Sequence, residues 1–351
     1  MVQANFWKRI FIMKLKQFLD KYDTIIFDMD GVITSEQNYW NTAALTVWET
    51  LLDHARAKID TSYGMRHLKE IRNEIFCGDE LIGVLKSKGV NSNWDLGYVT
   101  VLMAWITRGS ETYGSFRDVL AYAKTLPENI LEAYDALAEK CCEATGRDMY
   151  YLKRNGELWQ EMHELFQEWF LGDSLTGVPS KHGNKSGLLY REEPIIDKDT
   201  LITVLDLLSR KKRLCTGTGR PRIEMLVPLS DWKALQFFSV NGLCNYDHVA
   251  AAEKTFNNNA LTKPNPYMFL KALYGTDYDD KKLIDGDYDR DKIKTTLIVG
   301  DAGADILAAR AMGADFCAVL TGIQGEDARL YFEKMNAEYI LGSVADFLEE
   351  E

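Results

Sequence analysis

The chain has 351 residues, of which 46% are hydrophobic, 11% aromatic and 27% charged, enough for two domains or for one core carrying a large insertion, and too apolar for a disordered polymer. Its 41 basic and 53 acidic side chains give a formal charge of −12, so there is no positive field to gather phosphate backbones or anionic lipid, and nucleic-acid and membrane partners are not expected. Six scattered cysteines without a CxxC pair, with only 5 histidines, exclude zinc-type spacing and read as reduced thiols.

At the start of the chain, residues 6–19 mix apolar positions with Lys8, Arg9, Lys14 and Lys16, which interrupt the apolar stretch a signal peptide needs; an amphipathic lead-in helix is expected. No later segment approaches the ~20 uninterrupted apolar residues of a membrane span. A cytoplasmic protein is therefore expected. Thr24 to Phe27 is a short β-branched run that stops abruptly at Asp28-Met29-Asp30-Gly31, as a buried parallel strand does where it meets a loop.

From Glu36 to Tyr190 the texture changes to aromatics and leucines at three- and four-residue spacing, over Thr42 to Ile59, Phe116 to Leu126, Ile130 to Glu143 and Leu158 to Phe170. Val99 to Trp105 fits either period. After Pro194 the spacing predicts alternation. Helices are expected at Asp199 to Ser209, Ile223 to Ser230, Tyr267 to Tyr274 and Ala304 to Met312, and strands at Arg213 to Thr218, Tyr246 to Ala250, Thr295 to Val299 and Phe316 to Leu320. Such alternation implies an α/β fold with a doubly wound parallel sheet, built from residues 1–35 and 191–351 and interrupted by a helical domain at 36–190. No internal repeat is present. The aspartate-rich run Asp277 to Lys294 reads as a solvated loop, because Arg290 and Thr296 break the calcium-loop pattern that Asp285 would start.

In doubly wound sheets ligands bind beyond the carboxyl ends of the strands. Those ends carry Asp28, Asp30 and Gly31; Thr218 and Gly219; and Gly300, Asp301 and Asp305, while Lys263 precedes Pro264 at the start of a helix. Two carboxylates ~4 Å apart repel by about 4 kcal/mol at an effective dielectric of 20, so the cluster must hold protons or a cation. Oxygen ligands without His or Cys favour a hard ion, and magnesium is expected, on Asp28, Asp301 and Asp305. A carboxylate beside such an ion can attack phosphorus, which suits Asp28; Asp30 is placed to exchange a proton with the leaving alcohol and then with water. Lys263 and the Thr218 hydroxyl would hold the equatorial oxygens.

These residues, in the runs DMDG, GTGRPR, TKPNPYMF and VGDAGAD, make the chain resemble the haloacid dehalogenase-like (HAD) hydrolase superfamily, in its phosphatase and phosphomutase branch with a helical cap after the first strand. The resemblance implies a nucleophile at Asp28, an acid/base at Asp30 whose backbone carbonyl also contacts magnesium, phosphate binding by Thr218 and Lys263 with Gly219 and Arg220 beside them, and metal-ligating or metal-orienting carboxylates at Asp301 and Asp305. The expected activity is hydrolysis of a small phosphorylated metabolite, with no protein partner.

Asp30 points to C–O–P chemistry, since haloacid dehalogenases lack the second aspartate and phosphonatases place a small residue there. The run DGVITS resembles β-phosphoglucomutase, so a sugar phosphomutase is the alternative; Glu36, where those mutases carry a small hydroxyl residue, and the larger cap favour hydrolysis. A non-catalytic binding scaffold is the third reading. Within the cap, Lys181, His182 and Lys185 belong to a polar stretch expected as an exposed loop or, if it reaches the crevice, as an anion contact. Trp94, Trp105, Trp159 and Trp169, at helical spacing, are expected in the core.

Overall fold

The computed structural model describes residues 13–90, 92–108, 116–130, 133–258 and 260–350. The chain divides into two compact units, Met1–Ser35 with Glu192–Glu351, and Glu36–Arg191.

The first unit is α/β. Strands β1 (Met13–Leu15), β2 (Thr24–Phe27), β3 (Arg213–Gly217), β4 (Leu243–Cys244), β5 (Thr296–Gly300), β6 (Asp315–Val319), β7 (Tyr339–Leu341) and β8 (Leu348–Glu350) follow in chain order. Six of them form a parallel sheet in the order β4-β3-β2-β5-β6-β7. Side chains alternate across its faces, as the two-residue period of a strand requires. Ile26, Cys215, Ile298 and Phe316 join one buried cluster with Phe269 and Ile306 from the helices Tyr267–Tyr274 and Gly303–Met312. Ile25, Phe27, Leu214, Leu297 and Val299 join another with Leu201 and Leu205 of Lys198–Ser209 and Met225 of Arg222–Asp231. Burial on both faces explains why β2 and β5 read as unbroken apolar runs.

Three expectations fail here. The run Asp277 to Lys294 is not one solvated loop: it holds helices at Asp280–Asp285 and Asp291–Lys294, which bury Leu283 and Ile293 in the core. Tyr246 to Ala250 is not a strand: the strand is the shorter Leu243–Cys244, and Tyr246–Phe256 is a helix. Asn245 caps it, its Oδ1 accepting from Asp247 N at 3.0 Å while His248 Nδ1 accepts from Asn245 N at 3.3 Å. The lead-in helix over 6–19 lies partly outside the described residues; within them Met13–Leu15 is a strand paired antiparallel with β8, with Lys14 opposite Glu349 and Leu15 opposite Leu348. That alternation of charged and apolar cross-strand pairs satisfies a two-residue period in place of the helical one. The short β7 was also unanticipated.

The second unit is helical. Gln37–His54 packs on Asn93–Arg108 and Glu157–Leu171, burying Leu45, Val47, Leu102 and Phe166. Val99 to Trp105 is therefore helical. Trp105 and Trp169 are buried outright, while Trp94 and Trp159 are half-buried and edge-on to each other. No helix among the described residues is long and apolar enough to cross a membrane.

Candidate active site

The loop after β2 is built around one carbonyl: the amides of Val32, Ile33 and Thr34 all donate to Met29 O, at 3.2, 2.8 and 2.8 Å. Gly31 turns this loop at a φ of +71°, and a Cβ there would overlap the Asp301 carboxylate. Gly322, beyond β6, presses on the same carboxylate from another direction, since a Cβ there would also overlap it. The Thr321 hydroxyl donates to Gly31 O at 2.5 Å, fastening the two loops. Glycines thus leave room for Asp301 between two backbones, and Gly300 does the same for Asp305, whose Cβ would lie 2.5 Å from a methyl at that position.

Asp28, Asp301 and Asp305 each present a carboxylate oxygen, and these three atoms lie within 4.8 Å of one another. Lys263 Nζ stands 2.8 Å from Asp28 Oδ1 and 2.8 Å from Asp305 Oδ1, over the Phe269 ring. The lysine reaches this point from a turn in which Asn265 N donates to Thr262 O; the following helix starts at Tyr267, whose amide donates to Asn265 Oδ1, so Pro264 lies before the helix and not in its first turn. Burial pushes the Asp28 carboxyl up to about 7; Lys263 opposes this, and the Asp305 and Asp30 charges add to it. Burial alone would lower the Lys263 ammonium, but Asp28 and Asp305 outweigh it and push it up.

Thr218 lies one residue past β3 and is fully buried; its amide donates to Cys244 O at 3.2 Å and its Oγ1 accepts from Arg220 N at 3.2 Å. Gly219 between them has open space where a Cβ would stand. Arg220, expected beside the phosphate, is instead engaged by protein groups at all three guanidinium nitrogens. Its Nε and Nη2 donate to Asp30 Oδ1 at 3.0 and 2.6 Å, and its Nη1 donates to Glu192 Oε2 at 2.7 Å and Glu224 O at 3.1 Å. Glu192 was not anticipated from sequence, since a lone glutamate in REEPIID carries no motif.

In the helical unit, Lys185 is neither exposed nor free. It is buried, with Nζ 3.0 Å from Glu49 Oε1 and 2.6 Å from Glu168 Oε2, while Lys181 pairs with Asp53 at 2.7 Å and His182 Nε2 is 3.5 Å from Asp53 Oδ1. Lys181 and Lys185 thus serve ion pairs within this unit.

A sequence model described as HAD-hydrolase-like matches residues 260–347, the segment that supplies Lys263, Asp301 and Asp305. An X-ray structure from the Northeast Structural Genomics Consortium aligns over 92% of this chain and 97% of its own, with 27% identity and a TM-score of 0.76. Over residues 260–347 the chain resembles the HAD-like superfamily, and its α/β unit has the parallel-sheet core of that fold. Phosphatase Tt82 from Thermococcus thioreducens aligns over 84% of this chain and 90% of its own at 17% identity and TM-score 0.48. A HAD-superfamily hydrolase of subfamily IA from Geobacter sulfurreducens PCA aligns over 93% and 94% at 15% identity and TM-score 0.38. No curated protein sequence matches significantly.

Proposed function

We propose that the protein is a magnesium-dependent phosphatase that hydrolyses a small phosphate monoester through a phosphorylated Asp28. The observation that carries this reading is the grouping of Asp28, Asp301 and Asp305 around one point, with Lys263 bridging two of them.

The donor set fits a hard divalent cation: three carboxylates, no thiolate or imidazole, and glycines at 31 and 322 that leave Asp301 its space. Asp28, Asp301 and Asp305 would hold the ion, with the Asp30 carbonyl as a fourth donor. When bound, magnesium supplies positive charge against the phosphoryl oxygens and suppresses repulsion between Asp28 and the substrate.

In the first step an Asp28 oxygen attacks phosphorus, forming the acyl phosphate, while the ester P–O bond breaks and Asp30 gives its proton to the departing alkoxide. In the second, water attacks the same phosphorus, Asp30 takes the water proton, and the bond from phosphorus to Asp28 breaks to release inorganic phosphate. Lys263 and the Thr218 hydroxyl orient the equatorial oxygens.

Phosphate release from a generic aryl phosphate tests this reading. It is expected only with magnesium and is abolished in Asp28→Asn; turnover persisting in that variant removes Asp28 from the nucleophile role. A sugar-phosphate isomer in place of free phosphate would instead make the protein a mutase.

A further inference from the structure

The loop bearing Asp30 is paired to the segment that resumes the core. Ser35 N donates to Glu193 O at 3.0 Å and Ile195 N to Ile33 O at 2.9 Å. That pairing delivers Glu192 to the inner side of Arg220, where its side chain is 0% exposed and its Oε2 accepts from Nη1. Glu224 O, in the first turn of the following helix, takes a second bond from the same nitrogen. A guanidinium held on one edge in this way has a fixed plane, and its other edge presents Nε and Nη2 together. Both meet Asp30 Oδ1, which also accepts from the Thr34 hydroxyl at 3.3 Å. None of these three bonds goes to Oδ2, on a carboxyl that remains 29% exposed.

From this geometry we infer that Arg220, braced by Glu192, is a positioning residue for Asp30: it holds Oδ1, fixes the rotation of the carboxyl, and leaves Oδ2 as the oxygen available to the leaving group. Two N–H bonds from a braced cation hold that oxygen in one place, so rotation of the carboxyl is restricted and Oδ2 keeps a single direction. The role rests on the phosphatase reading for its chemistry, but the side-chain orientation it describes stands apart from activity.

The test uses the full-length protein with Arg220→Lys, whose single nitrogen cannot span both carboxylates, and Glu192→Gln, which keeps shape and removes the charge. Two substrates separate positioning from general damage: glycerol phosphate, whose leaving group needs a proton, and a dinitrophenyl phosphate, whose leaving group does not. For Arg220→Lys, kcat/KM on glycerol phosphate should fall on the order of 100-fold, while the dinitrophenyl ester loses less than about threefold. Glu192→Gln should show the same selectivity at roughly tenfold, and it carries the test if the arginine variant does not fold. Equal losses on the two esters would overturn the inference. Wild-type protein inactive on both esters would instead sink the phosphatase reading. A crystal structure of either variant then decides the positioning role: a rotated Asp30 carboxyl supports it, and Oδ1 left in place overturns it.

Discussion

Lys263 Nζ lies 2.8 Å from Asp28 Oδ1 and reaches it from a turn far away in sequence. Since the same nitrogen is also 2.8 Å from Asp305 Oδ1, this ammonium is the built-in counter-charge of the carboxylate group. Lys263→Met should therefore leave two buried carboxylates uncompensated. Loss of one partner from a buried ion pair costs about 3–5 kcal/mol, and the deficit should shrink as the pH falls and Asp28 takes up a proton. Calorimetric melting in chelator at pH 8 and pH 6 measures both effects. An unchanged Tm at pH 8 would show that the lysine does not neutralise the cluster.

The raised Asp28 carboxyl sets the pH dependence of cation binding. Without a cation its pKa is pushed up to about 7, so at pH 6 most molecules carry a proton there that a divalent ion must displace. Affinity for magnesium should rise by roughly tenfold per pH unit below 7 and level off above it, because the proton has then already left. Titration calorimetry in two buffers of different ionisation heat reads the proton directly. Close to one proton released at pH 6 and almost none at pH 8 is the expected pattern; a release independent of pH contradicts it.

The grouping of Asp28, Asp301, Asp305 and Lys263 was legible because the carboxylates follow strand ends, where a hydrophobic run stopping at Asp28 or Asp301 marks a boundary. The contact of Arg220 with Glu192 was not, because it depends on backbone pairing between residues 33–35 and 193–195, which no periodicity announces. Tyr246 to Ala250 misled for a related reason. Its apolar residues fit a short strand, and only the cap supplied by Asn245 and His248 turns the segment helical. Lys185 reads as a surface charge between glycines, yet its partners Glu49 and Glu168 come from two different helices.

Glu192 makes stability depend on pH. Burial pushes its carboxyl up to about 7 from 4.5, against the pull of Arg220. A carboxyl with a raised folded-state pKa binds its proton more tightly in the native chain than in the unfolded one. Its contribution is therefore complete below about 4.5 and is lost as the pH climbs through 7. Relative to Glu192→Gln, wild-type stability should decline over that window by on the order of 3 kcal/mol, at about 1.4 kcal/mol per unit, and run parallel above it. Denaturant unfolding of both proteins between pH 4 and pH 8 gives the difference curve. A flat difference would mean that Glu192 is ionised throughout.

Within the helical unit the equivalent dependence is on a lysine. Lys185 is buried against Glu49, whose Oε1 it contacts at 3.0 Å, and against Glu168, and it lies over the Trp169 ring at 4.8 Å. Burial pushes the Glu49 carboxyl up, with Lys185 the main opposing influence. Replacing only the lysine leaves Glu49 with no adequate counter-charge, so Lys185→Met should destabilise by about 3–5 kcal/mol near neutral pH. The double variant Lys185→Met, Glu49→Gln removes both charges and should recover most of that loss, since a buried neutral pair avoids the uncompensated ion. Urea unfolding of the two variants measures the coupling. If the single variant unfolds within 1 kcal/mol of wild type, estimated against the ~1 kcal/mol ceiling of exposed pairs, the ion pair behaves as a surface contact and does not anchor the Lys181–Lys185 loop to its helices.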